Sequence, residues 1–176
     1  MRALVIYESM FGNTHLVADA IAEGLADRGA DVRVTDPSQV NTNMIDGLDL
    51  LVVGGPTHAR GMTRPSTRES AIDTAAKDPE LEIDPAATGP GVREWLDSMG
   101  LLDVAAAAFD TRIDAPPLLT GRAAKGIDGK LRRLGCKRVV EPESFLVTTK
   151  NKLVDGELER AKEWGSALVG RFVSIG

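Results

Sequence analysis

The 176-residue chain predicts an α/β fold, a three-layer sandwich with a five-stranded parallel sheet between two layers of helices. Three observations predict it. Apolar runs without polar alternation, such as Ala3 to Tyr7 and Leu50 to Val53, suit strands buried on both faces. Between these runs lie stretches whose apolar residues recur at helical spacing. The strand-like runs also end in glycine, proline and hydroxyl residues, the composition of loops at the carboxyl edge of such a sheet. Five strands, each followed by a helix and joined by right-handed crossovers, suit a doubly wound sheet, for which the order 2-1-3-4-5 is expected. The ligand crevice then falls at the switch point between strands one and three.

The first strand, Ala3 to Tyr7, ends in the turn Ser9-Met10-Phe11-Gly12-Asn13-Thr14. Leu16, Val17, Ala20, Ile21, Gly24 and Leu25 then mark a helix from about Thr14 to Arg28, stopped at Gly29. Val32 and Val34 give a short second strand ending near Asp36-Pro37, and the weakly patterned Ser38 to Met44 suits a short helix before the turn at Asp46-Gly47. The third strand, Leu48 to Val53, ends in Gly54-Gly55-Pro56. After Pro90, Val92, Trp95, Leu96 and Met99 fall on one helical face, with Trp95 in the core. Ala105 to Phe109 is the fourth strand, Ala123 to Leu134 a basic amphipathic helix and Ser144 to Val147 the fifth strand. The last helix, from about Asp155 to Phe172, is expected to turn Leu158, Ala161, Leu168 and Phe172 inward. Glu157, Glu159, Lys162 and Glu163 are expected on its solvated face.

Length and composition suit one domain spanning residues 1–176, with 43% hydrophobic and 27% charged residues. No stretch is long and apolar enough to span a membrane, and Met1-Arg2 leads directly into a strand rather than a signal peptide. A single cysteine, Cys136, excludes an internal disulfide, and a cytoplasmic location is expected. The net charge of −5 argues against a nucleic-acid partner. Two histidines, His15 and His58, make no metal cluster.

The chemistry is expected at the turn Ser9 to Thr14. A helix that begins there offers unpaired N–H groups and the positive end of its dipole, flanked by the Ser9 and Thr14 hydroxyls, and such a place attracts an anion. The turn holds no Lys or Arg, so a phosphate would be held by amides and hydroxyls. Neither GxxxxGK[ST] nor GxGxxG is present in it. The other reading is an ordinary helix cap by Asn13 or Thr14. The loop after strand three, Gly54-Gly55-Pro56-Thr57-His58-Ala59-Arg60-Gly61-Met62, lets backbone approach a flat ligand. The loop after strand four, Asp110-Thr111-Arg112, is a polar exit from an apolar strand.

Together ESMFGNT, GGPTHA and FDTR make the chain resemble the short-chain flavodoxins over nearly its whole length. Flavodoxin is itself the familiar example of the 2-1-3-4-5 order. The resemblance implies a non-covalent FMN whose phosphate is bound by Ser9, Met10, Phe11, Gly12, Asn13 and Thr14. It also implies a flavin ring flanked by Pro56, Thr57, His58 and Ala59 on one side and Asp110, Thr111 and Arg112 on the other. The chain departs from electron-carrier flavodoxins in having no Trp or Tyr in either flavin loop. The candidates beside the ring are His58, Arg60, Met62 and Arg112. A guanidinium there favours reduced, anionic flavin and so a higher potential, because unit charges ~4 Å apart interact by about 4 kcal/mol at an effective dielectric of ~20.

The connection from Thr63 to Gly91 is long for a compact domain. It carries Arg64 and Arg68, one or two helical turns within Ser70 to Lys77, and an acidic portion with Asp78, Glu80, Glu82 and Asp84. It reads either as a cover over the flavin or as a surface insertion. Three functions stay open: an FMN electron carrier, an FMN-dependent NAD(P)H:quinone-type oxidoreductase, and a flavin-free receiver-like signalling domain. The last is disfavoured by glycines where a phospho-accepting Asp is needed. The expected partner is a redox protein or a small quinone-like acceptor. The basic residues Lys125, Lys130, Arg132, Arg133, Lys137 and Arg138 read as a docking face or as a solvated one.

Overall fold

The computed structural model describes residues 1–79 and 81–175; Glu80, counted above in the acidic portion, lies outside them. The chain runs β1 (Arg2–Tyr7), α1 (Asn13–Asp27), β2 (Asp31–Thr35), α2 (Thr42–Ile45), β3 (Leu50–His58), β4 (Gly61–Met62) and α3 (Pro65–Ala75). It continues α4 (Val92–Ser98), β5 (Ala105–Ile113), α5 (Pro117–Thr120), α6 (Ala123–Arg133), β6 (Lys137–Arg138), β7 (Glu143–Val147) and α7 (Glu157–Ile175). Strands β2, β1, β3 and β5 are parallel neighbours in that order, and β6 and β7 pair with β5 one after the other. The 2-1-3-4-5 order is thus present, with β5 in fourth place and β6 followed by β7 in fifth. The fifth position begins earlier than the pattern predicts, at Lys137. It is interrupted over residues 139–142, where Pro142 has no N–H to give to a ladder.

Period-two alternation splits the strands between two helical layers. Val5, Val52, Ala107 and Phe109 pack towards α1 and α7, whereas Ile6, Val53, Ala106 and Ala108 pack towards α4 and α6. The absence of a side chain at two glycines lets α1 and α7 come into backbone contact. A Cβ on Gly24 would stand 1.9 Å from the Lys162 carbonyl oxygen, and one on Gly165 would stand 2.2 Å from that of Ile21. The Ser166 hydroxyl donates to the Gly24 carbonyl at 2.9 Å across the same contact. Trp95 is a core residue, as expected; Cys136 is buried too, and burial pushes its thiol up to about 11.

Three local expectations are corrected. The glycines after the third strand do not end it, since β3 runs to His58 and pairs with β5 as far as Pro56 and Thr111. They lie inside the strand because the Phe109 ring occupies the place of a side chain on Gly54, whose Cβ would meet it at 2.1 Å. On α7, Leu158 is exposed and Glu157 is buried, the reverse of the amphipathic reading. Burial raises the pKa of the Glu157 carboxyl, but the Arg160 guanidinium and the Leu146 N–H more than offset this and hold it below the usual range.

The third correction concerns the connection from 63 to 91. Its helix α3 starts at Pro65 and spans 11 residues, because proline suits a first helical position. The segment is tied to the sheet by a charge cluster in which Glu8 and Arg68 are buried and Glu94 is half-buried. Arg68 lies 3.0 Å from Glu94 and 3.8 Å from Glu8, the Thr63 hydroxyl donates to Glu8, and Glu8 accepts the Val92 N–H at 2.9 Å. Met10 is buried against Ala71 and Ala87, and the Asp84 N–H donates to the Met10 carbonyl at 2.9 Å. Among the described residues no helix is long and apolar enough to cross a membrane.

Candidate functional site

At the carboxyl edge of the sheet, the loops after β1, β3, β5 and β7 enclose a cleft of about 190 Å³. Its floor begins where β1 gives way to α1. Gly12 takes φ +87°, a left-handed conformation that glycine adopts without a Cβ clash, and no side chain caps the helix that follows. The first amides of α1 are therefore left facing outward, with the positive end of the helix dipole behind them. The Ser9 hydroxyl oxygen accepts the Gly12 N–H at 3.0 Å, which fixes the turn and leaves the hydroxyl proton to donate elsewhere.

Two walls rise from this floor. Thr14 Oγ1 and Thr111 Oγ1 are 2.7 Å apart, so one proton joins the pair and the other is available to a ligand. Pro56, Thr57 and His58 form one wall, and Thr111, Arg112 and Ile113 form the other. Burial lowers the pKa of His58, so its imidazole is neutral at neutral pH. The Arg112 Nη1 donates to the Ala115 carbonyl at 2.7 Å, whereas its Nε is buried without a hydrogen-bond partner among the described residues. Such a donor is costly to leave unpaired, and it belongs to a residue of the cleft wall.

Behind the wall, Asp110 is fully buried and does not line the cleft. Its Oδ2 accepts the Thr57 hydroxyl at 3.1 Å and the Ala124 N–H at 2.8 Å, while the Thr57 oxygen accepts the Ala123 N–H at 2.8 Å. The two side chains thus satisfy the opening amides of α6, which orients Thr57 at the cleft. Burial raises the Asp110 pKa, against the Ala124 N–H, the Ser144 and Thr57 hydroxyls and the Arg122 charge.

The family model for flavodoxin matches residues 5–164. The chain belongs to the flavodoxin family. Its fold is similar to that of a flavodoxin from the domain Archaea, with a TM-score of 0.66 at 20% identity over 98% of this chain and 99% of that one. Flavodoxin 1 of Bacillus cereus gives 0.64 at 20% identity over 99% and 98%. The flavodiiron protein of Giardia intestinalis gives 0.57 at 19% identity, covering 98% of this chain but 36% of that one. In sequence, the uncharacterized protein MJ0732 of Methanocaldococcus jannaschii is 35% identical over 66 residues, which is 35% of this chain. The chain spans only 16% of that relative's length.

Proteins of the flavodoxin family bind FMN, and the residues of this cleft fit it. Outward-facing amides with the Ser9, Thr14 and Thr111 hydroxyls suit a phosphate monoester, and the unpaired Arg112 Nε suits an acceptor atom on a ligand. Of the residues expected to contact a cofactor, the cleft brings together Ser9, Met10, Phe11, Asn13, Thr14, Pro56, Thr57, His58, Thr111 and Arg112, with Gly12 shaping the turn. Ala59 and Arg60 lie outside that lining, at the exposed tip of the β3–β4 hairpin. Asn151 lines the cleft without having been expected to. Its side-chain oxygen and its carbonyl accept from the Asn13 amide at 3.1 and 3.0 Å. The one signal for it in the sequence was the polar run 148–152 after the fifth strand. A larger hollow of about 430 Å³ opens at the opposite edge of the sheet, beside Leu101 and Asp46, away from these donors.

Proposed function

We propose that this flavodoxin-family chain is an electron-transfer protein that works through a non-covalent FMN, with the phosphate on residues 9–14 and the ring between His58 and Arg112. The observation that carries the reading is the convergence of an uncapped helix start, three hydroxyls and the unpaired Arg112 Nε in one cleft. When bound, FMN supplies the exchange of one or two electrons. The chain's own residues then have separate tasks. Ser9, Thr14 and the first amides of α1 bind and orient the phosphate. Thr57 is held in place by the α6 amides and Asp110, so the wall it belongs to is fixed before any ligand arrives. Neutral His58 can give or take a hydrogen bond without bringing a charge to the ring. Arg112 brings a positive charge, which favours reduced, anionic flavin.

The redox partner in this reading is a protein or a small quinone-like acceptor that reaches the ring through the open side of the cleft. A second reading, an FMN-dependent oxidoreductase, draws support from the absence of Trp and Tyr among the lining residues, which leaves the ring face accessible to a small substrate. The visible absorption of the purified chain tests the first claim, since bound flavin gives two bands that free protein lacks. Mixing the loaded protein with NADPH and a quinone separates the readings. Steady turnover favours the enzyme, and reduction only through an added reductase favours the carrier.

A further inference from the structure

One residue beyond Thr14, α1 borders a second hollow, of about 340 Å³. It exists because the 63–91 connection crosses the top of β1 and comes to rest against the loop after β2. A Cβ on Gly89 would lie 3.5 Å from Ser38 Cβ. Its walls include Tyr7, His15, Asp36, Ser38, Asp84 and Thr88. The volume is within the range of small-molecule sites.

Tyr7 is the decisive residue. Its ring is 6% exposed and stacked on His15, with centroids 4.3 Å apart and planes 18° apart. Among the described residues its hydroxyl takes no hydrogen-bond partner, and it is open to the hollow rather than shut away in the core. Asp36 and Asp84 line the same hollow as Tyr7, and Asp19 lies 3.7 Å from His15 beside it. Burial, followed by those charges, keeps the phenol protonated well above its ordinary range. Asp84 is already engaged, by the Ala86 N–H at 2.9 Å and by His15 Nδ1 at 3.2 Å. Asp36 accepts the Ser38 N–H and hydroxyl on Oδ1 alone, at 2.8 and 2.5 Å, which leaves Oδ2 to a ligand.

We propose that this hollow binds a small organic ammonium ion, held by the Tyr7 oxygen and Asp36 Oδ2, with its alkyl part along Pro85 and the His15 ring. The carboxylates exclude an anion, and no Lys or Arg lines the hollow among the described residues. A divalent metal ion demands several free oxygen ligands, whereas one carboxylate oxygen and a phenol suit a directional N–H donor. Among the described residues no His, Cys, Asp and Glu group can hold a metal.

The site stands apart from the FMN cleft, and its test reads the two separately. The purified full-length chain is titrated calorimetrically with 1,4-diaminobutane, and with 1,4-butanediol and magnesium chloride as controls. The expected result is saturable one-to-one binding of the diamine alone. Tyr7→Phe and Asp36→Asn each weaken it about tenfold, while FMN affinity stays at the wild-type value. The proposal is overturned by a diamine that does not saturate at millimolar concentration, by equal binding in both variants, or by an equal response to magnesium chloride.

Discussion

Thr14 Oγ1 and Thr111 Oγ1 meet at 2.7 Å although they lie 97 residues apart, one in the first turn of α1 and the other near the end of β5. Both side chains are buried. The contact joins the loop read as holding phosphate to the loop read as holding the flavin ring, so the two halves of the cleft keep one spacing. Thr111→Val keeps the shape and removes the partner. The folded state should lose about 1–2 kcal/mol in urea unfolding, the cost of leaving a buried hydroxyl unpaired.

Asp110 supplies a test in which the sign depends on pH. Its carboxyl titrates above the ordinary 3.8 in the folded chain because it is buried. The stability this contributes is fully present below the unfolded value and is lost as pH rises through the folded one. Asparagine can accept the same Thr57 and Ala124 hydrogen bonds without the buried charge. Asp110→Asn should therefore equal or exceed wild type in stability at pH 7 and lose that advantage near pH 4. Asp110→Ala should fall by about 1–3 kcal/mol at both pH values, because the α6 amide and Thr57 lose their acceptor. Thermal unfolding at the two pH values reads all three proteins.

Much of this architecture was legible because its signals are local. Buried strands announce themselves as unbroken apolar runs, and the turn Ser9 to Thr14 is contiguous. What escaped depends on contacts between distant residues. Asp110 reads as a polar loop residue until α6 sets its amides against it, and Asn151 joins the cleft through Asn13, 138 positions away. Gly54-Gly55-Pro56 resembles a strand end, yet the Phe109 ring, a residue of another strand, makes glycine necessary inside β3. The place of the 63–91 connection was likewise hidden, because Glu8, Arg68 and Glu94 are far apart in the chain and meet only in the fold.

The hairpin tip beyond the cleft is strained. Ala59 and Arg60 join β3 to β4 with φ of +46° and +71°, the geometry of a two-residue turn that favours Asn-Gly. Replacing Ala59 with Asn and Arg60 with Gly should raise stability by about 1–2 kcal/mol, since each left-handed residue costs on the order of 1 kcal/mol. A shift in the denaturant midpoint without a change in slope is the expected observation.

Arg112 tests the electrostatic part of the account. Arg112→Gln removes the positive charge beside the proposed ring position while retaining a polar side chain. The two-electron midpoint of the FMN-loaded protein should fall by roughly 20–40 mV, corresponding to about 1–2 kcal/mol. Potentiometric titration gives the value directly. An unchanged midpoint would mean that Arg112 acts only on its own loop, through the Ala115 carbonyl.

The most direct measurement is a titration of the flavin-free chain with FMN, followed by quenching of flavin fluorescence, for wild type and for Thr14→Ala. The account predicts one FMN per wild-type chain and an affinity about tenfold lower in Thr14→Ala, the loss of one hydrogen bond to a charged group. A wild-type chain that takes up no FMN, or a Thr14→Ala chain that binds it as tightly as wild type, would contradict the placement of the phosphate at the start of α1.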